Sequence, residues 1–91
     1  MTTNVEFAEI VRTVSVVARR HDLTVPAFRS PPRTPDATRS IRRTNHGVVV
    51  AVRITNRLRP EVERDVIAGV VAANEAVDED SFYAECWEAL R

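Results

Sequence analysis

The chain has no lysine and no glutamine, and all thirteen of its basic side chains are arginine. Arginine presents a planar fork suited to carboxylates and phosphates. Codon bias in a GC-rich genome accounts equally for that usage and for the many alanines and valines. A single cysteine, Cys86, excludes any intramolecular disulfide and with it a secreted disulfide scaffold. Two glycines, Gly47 and Gly69, are too few for a P-loop or a dinucleotide fingerprint. Aromatic residues are scarce, and Phe28 is the only one between His21 and Pro60. The longest unbroken apolar run, Val48 to Val52, is far too short to span a bilayer, so no membrane association is expected. Glu6 and Glu9 stand where a signal peptide would carry positive charge, which points to a cytoplasmic protein.

What is present describes a small globular unit. Ninety-one residues, 44% of them apolar, make one domain over 1–91. The formal net charge of zero conceals a segregation along the chain. Arg19 to Arg59 holds ten arginines against Asp22 and Asp36, a net of +8, whereas Pro60 to Arg91 holds two arginines against nine acids, a net of −7. Such asymmetry leads either to a bound anion or to mutual pairing of the two halves.

Local patterns assign the elements. Thr3-Asn4-Val5-Glu6 has the form of a capping box, and Phe7, Ile10, Val11, Val14, Val17 and Ala18 follow at helical spacing. Leu23 to Phe28 is short, apolar and interrupted by Pro26, as in an edge strand. Ser30 to Pro35, with three prolines, reads as an extended polyproline-like connector. Thr38 to Thr44 and Val48 to Ile54 read as a hairpin around Asn45-His46-Gly47, a three-residue loop with Gly47 in the left-handed position. That register sets Arg39 across from Arg53, a like-charge pair; a four-residue loop sets Ile41 against Val50 instead. Pro60 and the acids after it open a second helix with a stripe of Val62, Val66, Ile67, Val70, Val71, Ala73 and Val77, in which Gly69 marks close packing on the sheet. Asp78 to Asp80 starts a third helix that buries Phe82, Cys86 and Leu90. The expected fold is therefore α+β, in the order α-β-β-β-α-α: a small antiparallel sheet, hairpin plus edge strand, with three helices.

No residue pattern supplies chemistry. His21 and His46 lie in no metal-ligand pair, so neither a metal nor another cofactor is expected. Glu85 and Glu88 beside Cys86 oppose thiolate formation, and a small apolar residue in a helix stripe is the simpler account. Glu61, Glu63 and Asp65 suit a helix N-terminus better than acid–base catalysis. The arginines remain: Arg29, Arg33, Arg39, Arg42, Arg43 and Arg53 are the candidate contacts to an anion or a partner. Nucleic acid is not favoured, because base platforms and a basic overall charge are missing.

Over residues 28 to 74, the segments Phe28-Arg29-Ser30-Pro31-Pro32-Arg33, Arg39-x-x-Arg42-Arg43, Gly47 to Arg53 and Asp65-x-x-x-Gly69-Val70-Val71 resemble small uncharacterised proteins of high-GC bacteria. The resemblance implies no activity. The sequence leads to a non-enzymatic interaction or accessory module, expected to form a homodimer through the hairpin. Two alternatives stand beside it. One is a binder of nucleic acid or another phosphate-bearing ligand through the arginine-rich hairpin; the other is an enzyme whose site is assembled across a dimer.

Overall fold

A computed structural model describes residues 1–31 and 38–91. The first helix, α1 (Asn4–Arg20), begins at the capping box: Thr3 Oγ1 accepts from the Glu6 N–H at 3.1 Å, and Glu6 Oε1 accepts from the Thr3 N–H at 3.0 Å. The β-branched run from Val11 to Val17 is helical, because the cap and the amphipathic period outweigh its modest propensity cost. Phe7, Ile10, Val14, Val17 and Ala18 are buried, each large side chain contributing roughly 1.5–3 kcal/mol. The helix stops where Asp22 turns to φ 55°, letting its N–H reach the Arg19 carbonyl and the Leu23 N–H reach the Ala18 carbonyl.

Three strands follow: β1 (Ala27–Arg29), β2 (Arg39–Thr44) and β3 (Gly47–Val52). Their spatial order is β1-β3-β2, so the most apolar strand is central. The α+β class and the element order are as expected, with one correction. The hairpin β2–β3 is antiparallel, but β1 pairs parallel with β3, Phe28 lying beside Val50, and the sheet is mixed. The end of β1 and the start of β2 lie at the same end of β3, which forces the two edge strands into opposite directions. The connector assigned to 30–35 falls largely outside the described residues, as does Arg33.

The hairpin register also departs from the three-residue loop. Ile41 faces Val50, Arg39 faces Val52 and Arg43 faces Val48, with Thr44 opposite Gly47. Only Asn45 and His46 turn the chain, and Gly47 adopts the expected positive φ, 118°. The alternative would have set Arg39 against Arg53. The observed pairing sets Arg39 beside a valine, on the side where Asp65 waits.

Helix α2 (Arg59–Ala72) lies over β2 and β3, and α1 packs on both α2 and the last helix, α3 (Glu79–Leu90). Gly69 gives α2 its closeness to the sheet: a Cβ there would sit 2.9 Å from Val50 Cγ1 and 3.0 Å from Phe28 Cε1. Val77, expected in the α2 stripe, falls in the α2–α3 link because α2 ends at Ala72. Asp78 caps α3 through the Ser81 N–H and hydroxyl. Phe82 and Cys86 are buried, whereas Leu90 is only half-buried at the helix end. One apolar cluster joins all three helices to Val50 and Val52.

Candidate interaction surface

Strand alternation divides the candidate arginines between two environments. Arg39, Ile41 and Arg43 share the helix-facing side with Val48, Val50 and Val52. There α2 takes up both cations: Arg39 Nη1 lies 3.7 Å from Asp65 Oδ1, and Arg43 Nη2 donates to the Ala72 carbonyl at 3.1 Å. The opposite side carries Arg29, Ser40, Arg42, Val49 and Ala51, and none of α1, α2 and α3 packs on it. Those side chains, with Ser30 and Pro31, line a shallow recess of about 480 Å³. Arg29 and Arg42 are exposed and form no ion pair among the described residues. Val49 and Ala51 form its half-buried floor. Arg53 lies just past the end of β3, its N–H bonded to the Thr38 carbonyl and its Nε enclosed with no hydrogen-bond partner among the described residues.

The most enclosed cation among the described residues was not one of the candidates. Arg57 precedes α2 and is 6% exposed. Its Nη1 donates to the Arg53 carbonyl at 2.9 Å, reaches the Thr38 carbonyl at 3.4 Å and lies 2.7 Å from Asp65 Oδ2. That last contact is an ion pair off the hydrogen-bond axis, and Arg57 Nε lies 3.8 Å from Glu61 Oε2; neither Asp65 Oδ2 nor Arg57 Nε has an aligned hydrogen bond among the described residues. The Arg57 carbonyl accepts both the N–H and the hydroxyl of Thr2. One residue thus ties the start of the chain to β2, β3 and α2. Glu61 and Asp65 are four residues apart on one face of α2, and the only signal in the sequence is that Arg57, in the loop two residues before the helix, comes four residues ahead of Glu61.

Arg59 makes a second node, with Glu63 Oε2 at 3.0 Å from its Nε and Glu6 Oε2 at 3.4 Å from its Nη1. The Glu63 hydrogen bond raises the Arg59 pKa. Glu61, Glu63 and Asp65 are therefore held by arginines, which does not leave them a free carboxylate cluster. At the far end, His21 Nε2 meets Glu85 Oε1 at 2.7 Å, with its ring edge-on to Phe82, joining α1 to α3. Asn74 clamps the stretch before β1: its amide accepts from the Thr24 N–H and donates to the Thr24 carbonyl, as a neighbouring strand would.

Burial pushes the Cys86 thiol up to about 12, with a smaller push from Glu85. That is the opposite of what a nucleophile needs. Among the described residues, no three side chains of metal-binding type come together, and no helix is long and apolar enough to cross a membrane. Comparison with protein-family models, curated proteins and solved structures finds no match to this chain.

Proposed function

We propose that this domain is a non-enzymatic interaction module that holds a partner protein against the open face of its sheet. One observation carries the reading: the helices stand on one side of the sheet, and the other side keeps two exposed arginines around a half-buried apolar floor. Arginine is enriched at protein interfaces relative to the rest of the surface. Strand addition is a poor mode for this sheet. β2 presents exposed Arg42 and Arg43 at one edge, and β1 is three residues long between Pro26 and Pro31. Charge, shortness and proline each blunt an edge. The partner therefore lies across the face.

The test is site-specific photo-crosslinking in the source cell, with a benzoylphenylalanine replacing Ser40 on the open face or Ala8 on the outside of α1. A discrete adduct with another protein from position 40 alone is expected. Equal adducts from both positions, or none from position 40, would overturn the reading. An adduct of twice the chain mass would assign the face to a second copy instead.

A further inference from the structure

We infer that the recess on the open face recognises an extended acidic peptide segment of the partner. This rests on the module reading above and adds the partner's chemistry. The sheet fixes the geometry. Arg29, Ala51 and Ser40 form one row across the three strands, and Ala27, Val49 and Arg42 form the row two residues along. The two arginines therefore stand on a diagonal. Two strand spacings and one two-residue step separate their Cα atoms by about 12 Å. An extended peptide repeats its same-face side chains about every 6.8 Å, so residues four apart span about 14 Å. A segment crossing the diagonal can set one carboxylate against each guanidinium and rest the side chain between them on Val49 and Ala51. The hydroxyls of Ser30 and Ser40 add donors at the rim.

Charge selects the same occupant. Arg39, Arg57 and Arg59 each meet a carboxylate within the domain. Arg29 and Arg42 meet none among the described residues, and their exposed forks suit bidentate carboxylate binding. A nucleic acid fits less well. The sheet's one aromatic residue, Phe28, is turned to Gly69 on the other side, so no stacking platform faces the recess. The exposed acids Glu75, Asp78, Glu79, Asp80 and Glu88 would also repel a long polyanion. A single phosphate would engage the arginines and leave the apolar floor unused.

The experiment is an amide chemical-shift titration of the full chain with a blocked heptapeptide, SESVSES, whose acids are four residues apart. Parallel titrations use SQSVSQS, inorganic phosphate and a thymidine oligonucleotide. Saturable shifts confined to Arg29, Ser40, Arg42, Val49 and Ala51 are expected with the acidic peptide. Replacing Arg29→Gln and Arg42→Gln together should weaken binding roughly tenfold, the sum of two exposed ion pairs. Arg12→Gln, on α1, should leave it unchanged. Equal binding of SQSVSQS would overturn the charge inference and leave the module reading intact. Tighter binding of phosphate or the oligonucleotide would replace the peptide as the ligand. Absence of any saturable shift at these residues would also overturn the inference, while the crosslink at position 40 decides the module reading separately.

Discussion

Gly69→Ala sets two opposed effects of similar size against each other. In an unobstructed helix the change stabilises by about 0.5–1 kcal/mol, because alanine loses less backbone entropy than glycine. Here the added methyl would meet Val50 Cγ1 at 2.9 Å, Phe28 Cε1 at 3.0 Å and Val50 Cγ2 at 3.3 Å. Val50 is fully buried in the central strand, and its β-branched side chain has little rotamer freedom to withdraw. Only Phe28, half-buried on an edge strand, can move aside. Overpacking a closed site costs about 1–3 kcal/mol, which exceeds the helix gain. The expected net loss is about 1 kcal/mol, or about 4–8 °C in Tm for a domain of this size, read by thermal and urea unfolding. A double-mutant cycle sharpens the result. Val50→Ala removes the two methyls nearest the new Cβ, so the double variant should be at least about 1 kcal/mol more stable than the two single losses predict. A Gly69→Ala protein more stable than the parent, or strict additivity with Val50→Ala, would refute the close-packing account.

Arg57→Met should cost about 3 kcal/mol in urea unfolding, the low end for breaking a buried pair, because it leaves Asp65 with only the 3.7 Å contact to Arg39 and removes the donor from two carbonyls; Asp65→Leu in the same chain should recover part of that loss. Thr3→Ala should cost about 1 kcal/mol through loss of the cap. The Glu6 carboxyl, lowered chiefly by its bond from the Thr3 backbone, supports the fold above its ordinary pKa, and that support is lost as pH falls through the lowered value; Glu6→Gln should remove this acid sensitivity, whereas Thr3→Ala, which keeps the backbone N–H, should leave most of it. Cys86 has a folded pKa raised from 9.0 to about 12, so its contribution is complete below about 9 and is lost as pH rises towards about 12. Cys86→Ala should flatten that alkaline loss, and the thiol of the wild-type protein should react with a disulfide reagent at pH 8 only on unfolding.

What could be read from the sequence was what is local. Thr3 and Glu6 are three residues apart, and the cap they form needs nothing from the rest of the fold. Gly69 was legible as a packing glycine because a helix centre offers it no conformational reason to be there. The hairpin register was not legible, since the choice depends on Asp65 receiving Arg39 from a helix that begins fifteen residues after β2. The parallel pairing of β1 depends on which edge of β3 the chain reaches first, a matter of topology that three residues of strand cannot encode. Arg57 looked like any loop arginine, and its burial arises only when Thr2, Thr38, Arg53 and Asp65 converge. The separation of the hairpin arginines onto two faces followed from strand alternation. Their different partners did not, because the sequence does not say which face the helices cover.

The long reach of the tertiary contacts sets the order in which the chain can fold. Thr2 bonds to Arg57 across 55 residues, and His21 meets Glu85 across 64. The hairpin can close early, within microseconds, because its strands are adjacent. Neither α1 nor α3 can bury its stripe until the intervening chain has been looped back, and that entropy must be lost before those contacts return anything. The domain should therefore fold more slowly than a helical bundle of the same length, with the rate set by closure of the α1–α3 seam. In a chain emerging from the ribosome, the apolar stripe of α1 would stay exposed until α2 and α3 arrive to cover it.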